Sequence, residues 1–151
     1  MKKLFLFLGL TLVSISLLAA CAVPSGLSSS DSKSSSAILS QSPAEMAYHK
    51  ITAEEAKKML DAGGVTIVDV RTPEEYAEKH IPGAVLVPNE TIGGEPPAAL
   101  PDKNAVLLVH CRTGVRSKQA SDKLVKLGYT NIYDFGGIVD WSYEIESGEA
   151  Q

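Results

Sequence analysis

From Tyr48 onward, short apolar runs alternate with stretches of helical spacing. Tyr48 to Ile51 is a short strand candidate. Thr52 with Glu55 forms a capping box for a helix over Ala53 to Ala62, and Gly63-Gly64 ends it. Val65 to Val70 is a nearly continuous β-branched run, as a strand covered on both faces requires. Thr72-Pro73-Glu74-Glu75 repeats the helix-start grammar with Pro73 at the first helical position, and predicts a helix to about Lys79. After the turn Ile81-Pro82-Gly83, Ala84 to Val87 reads as a third strand. Pro88 to Lys103 contains Gly93-Gly94 and Pro96-Pro97, so it reads as loop with one helical turn near Ala98. Ala105 to Val109 is the fourth strand. Ser117 to Leu127 is a helix with Ala120, Leu124 and Leu127 on one face, ended by Gly128. Asn131 to Asp134 is the fifth strand, and Gly136-Gly137 opens a last helix around Ile138 to Tyr143. Strands alternating with helices predict an α/β domain: a mostly parallel five-stranded sheet with helices on both faces.

The residues before this domain have a different character. Met1-Lys2-Lys3 is basic, and Leu4 to Ala20 is apolar apart from Gly9, Thr11, Ser14 and Ser16. Leu18-Ala19-Ala20-Cys21 then closes the run with small residues. This is the layout of an export signal, and the last four residues resemble a bacterial lipobox. The resemblance implies cleavage before Cys21, a lipid on its sulfur, and an extracytoplasmic protein held to a membrane by its lipid anchor, at the cell surface or in the periplasm. The alternative is a plain transmembrane helix, for which 17 residues lie at the short limit. From Ser25 to Ser42 ten of eighteen residues are serine, too little apolar surface to order a chain, so 21–43 reads as a flexible tether and 44–151 as one domain.

Charge narrows the partners. Loss of Lys2 and Lys3 with residues 1–20 takes the formal charge from −4 to −6, and an acidic chain without basic runs argues against nucleic acid. No Cys/His cluster has metal-ligand spacing and no glycine-rich loop has nucleotide-binding spacing, so neither a metal nor a cofactor is expected. With Cys21 lipidated, Cys111 is the remaining one of the two cysteines and has no internal partner for a disulfide.

The chemistry gathers at Cys111-Arg112-Thr113-Gly114-Val115-Arg116-Ser117, between an apolar strand and a helix. Ligands of parallel sheets bind at the carboxyl ends of the strands. Curled backbone amides and the positive end of a helix dipole stabilise a thiolate there. Arg112 and Arg116 add two permanent cations, and Gly114 permits a left-handed turn. The alternative is a buried structural thiol, but the two arginines and the strand-loop-helix setting favour a nucleophile.

These residues resemble a rhodanese domain. Asp69-Val70-Arg71-Thr72-Pro73-Glu74-Glu75-Tyr76 with His80-Ile81-Pro82-Gly83-Ala84 is similar to the family's first signature. Cys111 to Ser117 is similar to its active-site loop, and Phe135-Gly136-Gly137 with Trp141 to its closing motif. The likeness covers roughly Tyr48 to Gly148 and implies sulfurtransfer. Cys111 would take the outer sulfur of a donor such as thiosulfate or a persulfide and pass it to cyanide or a thiol. Outside the cytoplasm a thiol reductant is a further possible partner. The loop residues Arg112, Thr113, Gly114, Val115 and Arg116 would cradle the persulfide. In that cradle Arg116 would fix the loop's curve and Arg112 would face the mouth. Their alternatives are a helix-start salt bridge and a solvated charge. The related dual-specificity phosphatases carry one residue more than the four between Cys111 and Arg116, and the shorter loop suits a sulfur atom.

The resemblance makes Asp69 and Arg71 a structural ion-pair network. His80, before a Pro-Gly turn, is expected to hydrogen-bond the loop. His110 should point to the opposite sheet face from Cys111 and take no part as a base. Tyr76 and Trp141 are expected in the core, and Gly136-Gly137 is expected to bring the last strand close to a helix. Two functional readings stand: a sulfurtransferase turning over small molecules, and a persulfide carrier that discharges onto a partner protein.

Overall fold

The computed structural model describes residues 42–150. The expected signal sequence, the expected lipidation site Cys21 and nearly all of the serine-rich segment lie outside the described residues. Among those residues no helix is long and apolar enough to cross a membrane.

A short helix α1 (Pro43–Ala47) leads into β1 (Tyr48–Lys50), then α2 (Ala53–Ala62) and β2 (Val65–Asp69). Next come α3 (Pro73–Glu78), β3 (Val85–Leu86), β4 (Val106–Cys111), α4 (Val115–Lys126) and β5 (Ile132–Gly137). The five strands form one sheet in the order β1-β5-β4-β2-β3, and every pairing is parallel. The interior strands β2 and β4 are mostly apolar and end in wholly buried residues, among them the polar Asp69 and His110.

Two apolar layers cover the sheet. One packs Ala120 and Leu124 of α4 against Val68, Val109, Cys111 and Ile132. The other packs Ala56 of α2 and Tyr76 of α3 against Ile67, Leu108 and Phe135. Helices therefore lie on both faces, as the pattern predicted. From β2 the chain moves outward to β3, and from β4 it moves the other way to β5. The point of reversal lies between β2 and β4, where open parallel sheets place their ligands.

Several boundaries differ from expectation, and two matter for the site. Strand β4 runs on through His110 to Cys111, paired with Gly136 and Gly137 of a longer β5. Helix α4 begins at Val115 because Gly114, at φ 104°, turns the chain directly into it. The expected helix over Ile138 to Tyr143 is a single 3₁₀ turn, Ile138–Asp140, after which Trp141 is extended. In the long loop the helical turn falls at Asn89–Thr91, while Ala98 lies in a turn closed by Leu100 N–H on Pro97 O.

Candidate functional site

Cys111 is the last residue of β4 and is 1% exposed. Its Sγ accepts a hydrogen bond from the Gly114 N–H at 3.1 Å, which closes the chain after the strand into a cup. The first α4 amide with a backbone partner is that of Lys118, on Gly114 O at 3.2 Å. The amides of Val115, Arg116 and Ser117, the first turn of a twelve-residue helix, have no backbone acceptor among the described residues. No acidic residue occupies that turn. The cup thus offers N–H groups and a positive dipole end to whatever sits on the sulfur.

The arginines separate. Arg116 donates to both oxygens of Glu75, at 2.6 and 2.8 Å, so it is held in a helix-start salt bridge. Those hydrogen bonds hold the Glu75 carboxyl down to about 2. Glu75 also caps α3 through the Thr72 N–H at 3.2 Å. One carboxylate therefore ties the start of α3 to the start of α4, a role that its place in a capping box did not reveal. Arg112 is exposed and has no ion pair or side-chain hydrogen bond among the described residues, and Thr113 and Val115 are exposed beside it. Gly114, Arg112, Thr113, Val115 and Arg116 thus all lie on the loop and helix start that close over Cys111.

The floor of the cup is β5. An added Cβ on Gly137 would meet Arg112 O and lie 2.8 Å from Thr113 Cα. The diglycine therefore lets the last strand approach the cysteine loop; its close neighbour is that loop, not the helix expected from sequence. Opposite Val109 and His110, β5 carries one extra residue, a bulge that turns its end upward. Buried Asp134 pins the bulge: Oδ1 accepts the Gly136 N–H at 2.9 Å and the Ser117 hydroxyl at 2.7 Å. Its other oxygen accepts the Tyr48 hydroxyl at 3.0 Å. Burial first, then the Asp134 charge, pushes the Tyr48 phenol up and keeps it a donor. Reading Asp134 as a strand end gave no sign of this role.

On the other side, Asp69 and Arg71 are both buried. Arg71 Nε donates to the two Asp69 oxygens at 2.9 and 3.0 Å. Its Nη1 and Nη2 donate to the carbonyls of Glu75 and Lys79 at 3.1 and 2.7 Å, which fastens the end of α3 to β2. His110 faces away from Cys111, against Phe135 at 5.1 Å. Burial lowers its pKa despite Asp69, whose Oδ2 lies 3.7 Å from Nε2. Lying on the opposite face of the strand, the ring is not placed to serve the thiol as a base. His80 bonds not the Pro-Gly turn but the Tyr76 carbonyl, at 2.9 Å, and stacks on the Tyr76 ring. Tyr76 and Trp141 are both buried. Among the described residues no group of three or more His, Cys, Asp or Glu could hold a metal.

A five-stranded parallel sheet with a thiol at its switch point, beside a helix N-terminus, defines one class of α/β domain. The rhodanese-like domain model matches residues 52–144, more than half of the chain, and the protein belongs to that family. The chain is 38% identical over 73 residues to the thiosulfate sulfurtransferase PspE of Escherichia coli, covering 48% of this chain and 70% of that one. It is 41% identical over 100 residues to the probable adenylyltransferase/sulfurtransferase MoeZ of Mycobacterium tuberculosis, where it spans 25% of the relative's length and 64% of its own. Among solved structures, a rhodanese-like domain protein from Staphylococcus aureus superposes with a TM-score of 0.56 at 37% identity, over 66% of this chain and 97% of that one.

Proposed function

We propose that the protein is a sulfurtransferase that carries sulfane sulfur on Cys111. The observation that carries this reading is the Gly114 amide on Sγ, with three further amides uncommitted behind it. The Cys111 thiolate attacks the outer sulfur of thiosulfate; the S–S bond of the donor breaks and sulfite leaves with its electron pair. Cyanide or a thiolate then attacks the outer sulfur of the persulfide, and the Cys111 thiolate is released, a ping-pong cycle. The cup amides favour the negative persulfide over the neutral thiol. So deeply covered a thiol also favours a small terminal sulfur over a bulky disulfide. The thiosulfate sulfurtransferase relatives support this chemistry.

The second reading, a persulfide carrier for a partner protein, is favoured by the rim: Val115 and Val139 are 66% and 59% exposed beside the cup. The two readings separate in one assay: thiocyanate formation from thiosulfate and cyanide by the full chain, next to Cys111→Ser. Turnover that disappears in the variant supports the enzyme. A mass gain of one sulfur on Cys111 without turnover supports the carrier. If neither turnover nor the mass gain is seen, sulfurtransfer at Cys111 is overturned. The lipid anchor on Cys21 and the extracytoplasmic site, with a thiol reductant there, belong to the same proposal; fatty-acid labelling lost in Cys21→Ser tests the anchor.

A further inference from the structure

Beside the cup lies a cavity of about 170 Å³ whose lining does not include Cys111 itself. It sits above the end of β4, between the chain leaving β2 at Arg71 and the chain leaving β5 at Ile138 and Val139. Arg112, the residue after the nucleophile, forms part of its wall. Pockets that enclose drug-sized ligands run to roughly 300–1,000 Å³, so this one suits a fragment about the size of an amino acid.

Its polar groups are asymmetric. A guanidinium has five N–H donors. In Arg71 the Nε proton goes to Asp69, both Nη2 protons go to Asp69 and Lys79 O, and one Nη1 proton goes to Glu75 O. The second Nη1 proton has no acceptor among the described residues, and Arg71 is 2% exposed and lines the cavity. A buried donor left in this way calls for an oxygen. Lys79 and Arg112 line the same cavity, and neither side chain has an ion pair among the described residues. Against them stands the Glu78 carboxylate alone, since Arg116 occupies both oxygens of Glu75. Ile138 and Val139 supply an apolar side, and Ile138 follows Gly137, which pairs with Cys111 across the sheet.

We infer that this cavity binds the carboxylate of a small thiol acceptor, with Arg71, Arg112 and Lys79 facing the carboxylate and Ile138 and Val139 its carbon stem. The inference rests on the sulfurtransfer reading and gives it a substrate class: low-molecular-weight thiols bearing a carboxylate. The acceptor thiolate attacks the outer persulfide sulfur, the bond from that sulfur to Cys111 breaks with its electron pair on Sγ, and the acceptor leaves as its persulfide.

Two measurements on the full-length protein test this. Propionate is titrated against methyl-labelled protein; saturable shifts of the Ile138 and Val139 methyls are expected, weakened about fivefold in Lys79→Glu and strengthened in Glu78→Gln, as single partly exposed charges allow. Starting from the thiosulfate-loaded protein, KM is compared for 3-mercaptopropionate and 2-mercaptoethanol as acceptors. The carboxylated thiol is expected to have the lower KM, and Lys79→Glu to narrow that gap. Absent methyl shifts, or a gap that neither variant changes, would overturn the site. If the methyls respond but thiosulfate never loads Cys111, sulfurtransfer fails while the carboxylate site stands.

Discussion

Helices α3 and α4 begin in opposite ways. At α3, Thr72 and Glu75 close a complete capping box, with Pro73 in the first turn and two glutamates meeting the positive dipole end. At α4 the cap position is Gly114, with no side-chain hydrogen bond and no acidic residue in the first turn. The first arrangement satisfies the orphan amides internally, and α2 repeats it with Thr52 and Glu55. The second leaves them for something the chain itself does not supply. Taken alone, a helix start with glycine at the cap is weaker than a side-chain-capped one by only about a few tenths of a kcal/mol. Beside Cys111, in the sulfurtransferase we propose, it is the means of holding an anionic sulfur, and neighbouring elements brace the helix start. Glu75 reaches across from α3 to hold Arg116, and Asp134 holds Ser117 from below.

The sharpest way to break this contrast is to push the floor into the cup. In Gly137→Ala the new methyl meets Arg112 O and Thr113 Cα, both backbone atoms that cannot swing aside. Overpacking of this kind costs roughly 1–3 kcal/mol. Displacing the loop by an ångström should lower sulfurtransfer about 10²-fold. A variant that folds, binds propionate at Val139 and has lost thiocyanate formation would show that the cup, not the carboxylate cavity, was deformed. Unchanged turnover would remove the floor from the account of the site.

The next effect is smaller and depends on pH. Glu75→Gln keeps an oxygen for the α3 cap but gives up the charge that holds Arg116, a loss of about 2 kcal/mol for a charged hydrogen-bonded pair. The Glu75 carboxyl is lowered in the folded protein from 4.5 to about 2. The unfolded chain therefore binds its proton first as pH falls. The pair's stabilisation is complete above about 4.5 and disappears as pH drops toward 2. Acid-unfolding curves of the two proteins should differ by this amount near neutrality and converge across that window. Parallel curves from neutrality to pH 2 would mean that the two helix starts are not coupled through this pair.

Sequence pattern located all five strands, and for a physical reason: buried parallel strands must be apolar on both faces, so Val65 to Asp69 and Val106 to Val109 stand out unaided. Capping boxes likewise fixed the starts of α2 and α3 to the residue. The site was less legible where its geometry is carried by residues that lack such patterns. His110 and Cys111 carry little strand preference, so the end of β4 was set short. Gly114 starts α4 through a backbone angle, with no cap residue to read, so that helix was begun late. Glu75 and Arg116 meet across a separation of 41 residues, which no local spacing encodes. The diglycine announced a close approach, but its neighbour, the cysteine loop, depended on how β5 bulges beside β4.

The smallest effect belongs to the helix start that does no chemistry. Thr52 caps α2 by accepting the Glu55 N–H at 3.2 Å, while the Glu55 carboxylate accepts the Thr52 N–H at 2.8 Å. Thr52→Ala removes the first of these bonds and costs about 1 kcal/mol. In a domain of about 100 residues that is a fall in Tm of roughly 4–8 °C. Thiocyanate formation below the melting range should not change, because no residue of α2 borders the cup or the neighbouring cavity. That pairing of a lower Tm with intact turnover is what separates a cap that only stabilises from a start left open for a ligand. A Thr52→Ala protein that lost activity while still folded, below its own melting range, would instead tie α2 to the site through β5, against which it packs, and the contrast between closed and open helix starts would then describe stability alone.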